Sequence, residues 1–124
     1  MKQILILSIF TLLFSSCTAQ SNSTKVLSSE EFKTQIENKN VQPVQLIDVR
    51  TPEEFHSGHI EGAINIDFYS ENFLEAFNEF DKEQAIYLYC RSGNRSGKTA
   101  TKLEALGFKE IYDLKGGILK YKIE

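Results

Sequence analysis

The chain has few of the residues that build metal centres or disulfide frameworks. Among its 124 residues are two cysteines and two histidines. They show no close spacing, so the clustered ligand pattern of a metal site is missing, and no metal or other cofactor is expected. The cysteines are Cys17 and Cys90. Only Cys90 falls in the part expected to fold, which leaves it no internal disulfide partner. There is no surplus of positive charge either. The formal net charge is −3, which argues against a general nucleic-acid binder. A long apolar run is also missing. The longest, Ile4 to Phe14, has 11 residues, well short of the roughly 20 that span a bilayer as a helix. There is no low-complexity tract and no internal repeat. The composition, 41% hydrophobic and 25% charged, suits one globular domain.

What is present begins with a segment outside that domain. Lys2 supplies a positive start, an apolar stretch follows, and small residues Ser15 and Ser16 precede Cys17. Residues 1–16 therefore read as an export signal. The end of the segment resembles the lipobox of bacterial lipoproteins, with Phe14 where leucine is usual. By that resemblance, Cys17 is lipidated and becomes the first residue after cleavage. The alternative is ordinary cleavage after Ala19, since Cys17-Thr18-Ala19 loosely fits a small-x-small site. The expected location is the bacterial cell envelope, lipid-anchored and facing the periplasm, or soluble in the periplasm under the alternative. Contact with the membrane is expected only through the lipid. Residues 17–25 carry the anchor and a polar, flexible tether, and the folded domain is expected over 26–124.

Within the domain, helix and strand signals alternate. Ser28 and Glu31 have capping-box spacing, with Leu27 and Phe32 placed as a hydrophobic staple for a helix to about Glu37. Val44 to Val49 is a strand. Thr51 caps a short helix with Pro52 at its first position, and Gly58 ends it. Ala63 to Ile66 is a short strand. A helix starts at Ser70, with Phe73, Leu74 and Phe77 turned inward. Ala85 to Tyr89 is apolar on both faces, as in a buried parallel strand. Ser96 to Leu106 is helical with Gly107 as its stop, and Glu110 to Leu114 is a last strand before Gly116-Gly117 and a short closing helix. This order argues an α/β domain with a mainly parallel sheet and helices on both faces. Such a domain covers its own sheet, so a monomer is expected. Sites in these sheets form at the carboxyl ends of strands, where Asp48 and Cys90 both fall.

Cys90 carries the chemistry. It ends the central strand and opens the loop Cys90-Arg91-Ser92-Gly93-Asn94-Arg95, behind which a helix begins. Backbone N–H groups and the positive end of the helix dipole converge there, and they favour the thiolate, the nucleophilic form. From Cys90 to Lys102 the chain holds Arg91, Arg95, Lys98 and Lys102 and no carboxylate. Directly behind a thiol, that cluster reads as an anion site rather than a solvated basic face. The stretch SGNRSGKT at 92–99 is one glycine short of a nucleotide-binding P-loop, and Ser92 in that glycine's place argues against nucleotide hydrolysis.

Several ordered segments here resemble the rhodanese family of sulfurtransferases. Leu46 to Arg50 is similar to that family's LIDVR strand. Glu54-Phe55, Gly58-His59-Ile60 and Gly62-Ala63-Ile64-Asn65 are similar to its next segment. Tyr89 to Ser96 is similar to its YCRSGNRS loop, and Leu106-Gly107-Phe108 and Gly116-Gly117-Ile118 to its closing segments. The departure is Tyr121, where tryptophan is usual. The resemblance implies a three-layer α/β/α domain with a mainly parallel five-stranded sheet. It implies transfer of sulfane sulfur from thiosulfate or a similar small anionic donor to a thiol or cyanide, through a persulfide on Cys90. The donor-binding set is then Arg91, Ser92, Gly93, Asn94, Arg95 and Ser96. Arg91 binds the anion, Gly93 bends the loop N–H groups inward through a positive φ, and Arg95 either binds the donor or braces the loop. Asp48, Arg50 and His59 are candidates for site support. For the first two, the plainer reading is a scaffold salt bridge with Glu53 or Glu54. For His59 it is a hydrogen bond that holds its turn, and His56 is expected to be merely exposed.

Two rival functions have distinguishing features. The fold resembles that of cysteine-dependent dual-specificity phosphatases, but their loop has one residue more between cysteine and arginine than the four between Cys90 and Arg95. A tethered, inactive partner-binding copy would be expected to lack the cysteine, which is present with both loop arginines.

Overall fold

The computed structural model describes residues 23–41 and 43–121. The segment read as an export signal, Cys17 and the residues up to 22 read as tether lie outside the described residues.

Chain order gives the elements. Strand β1 is Thr24–Leu27, helix α1 Ser29–Ile36, strand β2 Gln45–Asp48, helix α2 Pro52–His56, strand β3 Ile64–Asn65 and helix α3 Phe73–Ala76. Strand β4 is Ile86–Tyr89, helix α4 Asn94–Ala105 and strand β5 Ile111–Leu114. Short 3-10 turns cover Lys39–Val41, Phe77–Glu79 and Ile118–Lys120. The five strands form one sheet in the order β1-β5-β4-β2-β3. Every pairing is parallel, so the sheet is not merely mainly parallel but wholly so.

Side chains alternate across a strand, and β4 shows why the domain has two cores. Ile86, Leu88 and Cys90 belong to one buried cluster, together with Phe73, Phe77, Ala100 and Leu103 from α3, its 3-10 extension and α4. Tyr87 and Tyr89 belong to the other, with Leu27, Phe32 and Ile36 of the β1–α1 segment. All four residues of β4 are buried, and β2 and β5 flank the strand on either side. With helices covering both faces, the architecture is the expected three-layer α/β/α domain.

The helix starts follow local chemistry. Ser28 accepts a hydrogen bond from the Glu31 N–H at 3.2 Å, and Leu27 and Phe32 pack in the same cluster. At α2 both halves of a capping box form between Thr51 and Glu54, with Pro52 leading the helix. Gly93 takes φ +106°, a left-handed conformation, and caps α4 directly, so α4 begins at Asn94 rather than Ser96.

Two expectations fail. Thr24 and Lys25, read as tether, pair with Ile111 and Tyr112 in an edge strand. That strand is short, starts on polar residues and leaves Val26 59% exposed, so its pattern carried no apolar alternation. Leu74, expected inward, is exposed. Helix α3 lasts one turn and gives way to 3-10 at Phe77. Phe73 and Phe77, four apart, share its buried side, and Leu74 lies about 100° round from Phe73.

Tyr121 takes its place in the second core, its ring 6.5 Å from Phe32 in an edge-on contact. Phe32 is fully buried there and also meets Tyr87 edge-on at 5.5 Å. Replacing Phe32 with alanine is expected to destabilise the domain by about 3–5 kcal/mol, read from urea unfolding. A loss below about 1 kcal/mol would show that this face does not hold the fold together.

Candidate active site

The site sits where β4 ends. Cys90 is 1% exposed, on the floor of the loop that follows it. The Gly93 N–H donates to Cys90 Sγ at 3.1 Å, and Ser96 Oγ lies 3.4 Å from the sulfur. The positive φ of Gly93 lets the chain turn from that donor directly into α4. A fixed donor facing sulfur at a helix start favours negative charge there. Arg91, Ser92 and Asn94 are exposed on the rim.

A second segment pins the loop from outside. The Ile118 N–H donates to the Cys90 carbonyl at 2.9 Å and the Leu119 N–H to the Arg91 carbonyl at 3.2 Å. Gly117 makes this approach possible. A Cβ on it would stand 2.3 Å from the Arg91 carbonyl oxygen, and its φ of +64° with ψ of −164° suits glycine almost alone. Gly117 is thus a structural requirement of the Cys90 loop. Its doublet with Gly116 was visible in the sequence, but what it touches was not.

Arg95 faces a partner that the sequence did not pair with it. Its two terminal nitrogens donate to the Glu54 carboxylate at 2.7 and 3.0 Å, and its guanidinium lies 5.8 Å from the centre of the Tyr69 ring. The guanidinium is therefore braced in the scaffold. The hydrogen bond from Arg95 draws the Glu54 carboxyl down to about 2; burial opposes this, and the Thr51 backbone N–H assists. One side chain thus caps α2 and holds the arginine of the loop.

Asp48 and Arg50 form their own pair instead of reaching Glu53 or Glu54. Arg50 Nε and Nη2 donate to both Asp48 oxygens at 2.7 to 3.0 Å, and Nη2 also donates to the Gly58 carbonyl at 2.7 Å. Two residues apart on an extended chain, the pair share one side, and Glu54 is already taken by Thr51 and Arg95. Burial works against the charge on Arg50, but the hydrogen bond and charge of Asp48 outweigh it, so the net direction is up. Tyr89 Oη accepts from the Ile60 N–H at 3.0 Å, and burial is the main cause that raises its pKa. Asn65 donates to the carbonyls of Asp48 and Arg50 at 3.0 and 2.9 Å. These groups hold the turn at 58–60 and the end of β2 on the sheet face opposite Cys90. His59 is exposed, stacks on Phe55 at 3.7 Å and directs Nδ1 at the Phe55 carbonyl 2.9 Å away. His56 is exposed.

Residues 28–124 match the rhodanese-like domain family. The chain belongs to that family. It is 38% identical to the uncharacterized protein YqhL of Bacillus subtilis, over 98% of this chain and 94% of that protein. It is 33% identical to a tRNA uridine(34) hydroxylase of Buchnera aphidicola over 82% of this chain, which spans 33% of that protein's length. Among solved structures, a rhodanese-like domain protein of Staphylococcus aureus superposes with a TM-score of 0.70 at 32% identity, covering 81% of this chain and 93% of that one. The SSP1007 protein of Staphylococcus saprophyticus gives 0.69 at 28% identity, covering 79% and 93%. The all-parallel five-stranded sheet is thus the rhodanese-like fold, and Cys90 stands at the head of its loop.

Because the folded pKa of Glu54 lies below its unfolded value, the pair's contribution to stability is complete above about pH 4.5 and lost as the pH falls towards about 2. Urea unfolding across that window is expected to show a steeper loss for the wild type than for Glu54→Gln. Parallel curves would mean that the Arg95–Glu54 pair adds nothing to stability.

Proposed function

We propose that this rhodanese-like domain is a sulfurtransferase that carries sulfane sulfur as a persulfide on Cys90. The observation that carries this reading is the Cys90 sulfur held under the Gly93 N–H, inside a loop with four residues between Cys90 and Arg95. The Cys90 thiolate attacks the outer sulfur of thiosulfate or a similar anion. A sulfur–sulfur bond forms at Cys90 as the donor's own breaks, and sulfite leaves with the electron pair. The outer sulfur now bears the negative charge, next to the same loop donors. A thiol or cyanide then takes that sulfur and returns Cys90 to the thiolate. Arg91, exposed on the rim, is the residue to meet the incoming anion. Arg95, tied to Glu54, keeps a positive charge behind the loop.

A phosphatase or arsenate reductase is the rival enzyme. Its oxyanion needs a wider ring than this loop of four intervening residues offers. A tRNA substrate is suggested only by the name of relatives of which this chain covers about a third. The net charge of −3 disfavours it, since phosphate backbones are bound chiefly by lysine and arginine. We further propose that the domain hangs from the cell envelope by a lipid on Cys17. The support is residues 1–16 and their lipobox-like end; soluble release after Ala19 is the alternative.

Incubated with thiosulfate, the purified protein is expected to gain the mass of one sulfur atom, lose it to cyanide, and gain nothing as Cys90→Ser. Arg91→Ala is expected to raise KM for thiosulfate more than it lowers kcat, by roughly tenfold for one lost charge-assisted contact. A folded protein with a free Cys90 that takes up no sulfur would sink the transferase reading. For the anchor, cell fractionation is expected to find the wild type in the membrane fraction and Cys17→Ser in the soluble one. The same distribution for both would refute lipidation.

A further inference from the structure

The sulfur-transfer scheme makes no use of a cavity at the other pole of the sheet. Its volume is about 600 Å³, within the usual span of small-molecule sites. It lies where the chain enters β2, β4 and β5, with Val44, Ala85 and Glu110 at the three entries. Cys90 stands at the opposite, carboxyl end of β4. One wall is aromatic. Tyr87 and Tyr112 are register partners on neighbouring strands, and their rings stack 4.9 Å apart at 23°. Phe32 meets Tyr87 edge-on at 5.5 Å, which fixes the pair against the core. Facing these rings are Gln35 of α1 and Asn38 just after it.

The polar groups of the cavity favour one sign of charge. Tyr87 Oη donates to Gln35 Oε1 at 2.9 Å, and Tyr112 Oη donates to Glu110 Oε1. Both hydroxyl hydrogens are engaged, so each phenol oxygen is left with lone pairs to offer. The lining holds two carboxylates, Glu83 and Glu110, and no lysine, arginine or histidine. Glu83 is paired with Lys109 at 2.6 Å. Glu110 makes no salt bridge among the described residues, and its second oxygen has no hydrogen-bond partner among them. Of the other cations on the adjoining segments, Lys39 is exposed, and Lys82 Nζ lies 5.9 Å from the centre of the Phe108 ring.

We propose that this cavity is a second binding site, for a small organic cation: an ammonium, amidinium or guanidinium group carried on a flat apolar body. The cationic end pairs with the open oxygen of Glu110, a charge-assisted hydrogen bond. The flat body lies against the tyrosine wall, whose rings attract a cation as well as an apolar surface. An uncharged molecule of the same shape gains the ring contact and leaves Glu110 unpaired. An anion meets two carboxylates and the lone pairs of two phenols. The site is thus opposite in sign to the loop at the other pole, which carries Arg91 and Arg95. It makes no use of the Cys90 sulfur and stands whether or not that sulfur is transferred.

The test uses benzamidine, a planar aromatic cation. It is titrated into the nitrogen-15-labelled full chain at low ionic strength, where an exposed carboxylate is least screened, and followed through the amide chemical shifts. Saturable shifts are expected at Val44, Ala85, Glu110 and Tyr112, with an affinity that is roughly millimolar for a ligand of this size. The Gly93 amide is expected to stay in place. Glu110→Gln keeps the shape of the side chain and removes its charge, and it is expected to weaken binding about fivefold. Benzamide, the same ring without the charge, is expected to bind the wild type more weakly by at least that factor, a comparison that needs no variant to fold. Benzoate is expected to leave the four amides unmoved. Equal affinities for benzamidine and benzamide would overturn the proposal. So would an unchanged affinity in folded Glu110→Gln, shifts centred on Gly93 to Arg95, or the lack of any saturable shift.

Discussion

The two-residue period of β4 is the constraint from which the rest follows. Four consecutive buried residues in the middle of a parallel sheet must alternate between faces, and each face must be covered. Ile86 and Leu88 call for α3 and α4 on one side, and Tyr87 and Tyr89 call for α1 on the other. Cys90 continues the first set, so the sulfur is carried to the floor of the loop before the chain turns. A one-residue slip would send it to the opposite face, among the tyrosines and away from α4.

Around that strand, charge is held in separate closed pairs. Asp48 and Arg50 satisfy each other on the tyrosine face and tie down the turn at Gly58. Glu54 and Arg95 do the same at the loop, with Glu54 also completing the cap of α2. Each pair is made of forked, charge-assisted bonds, which fix geometry as well as charge. The loop gains a positive group that cannot swing away, and Arg91 stays exposed on its rim. The backbone clamp at Gly117 adds rigidity from a third direction, because carbonyls pinned by Ile118 and Leu119 cannot rotate to disturb the sulfur. Preorganised donors of this sort act on developing charge without having to move first.

Much of this was legible in the order of residues. Helix caps at Ser28 and Thr51, the helix stop at Gly107 and the apolar run Ala85–Tyr89 are local signals, set by side chains within a few residues of each other. The position of Cys90 was legible too, since a cysteine between a buried strand and a glycine-bearing loop before a helix is itself a local pattern. Less legible was β1, whose Thr24 and Lys25 look like linker until Ile111 and Tyr112 lie beside them. Leu74 misled because it is an apolar neighbour of Phe73, yet it lies about 100° round the helix from the side that Phe73 and Phe77 bury.

By itself, then, the sequence determined the alternation of strands and helices, the two-faced central strand and the identity of the thiol, because each depends on spacing along the chain. Tertiary structure decided which charge meets which. Arg50 could have reached Glu53 or Glu54, and Arg95 could have been left for an anion; the packing of α2 against the loop gave Glu54 to Arg95 and left Asp48 to Arg50. The same packing set Gly117 against the Arg91 carbonyl, and placed Asp113 on the α4 side of the sheet near Gly97. Ion pairs and close backbone contacts join residues far apart in the chain. Their energies depend on distance and burial, which only the folded arrangement defines.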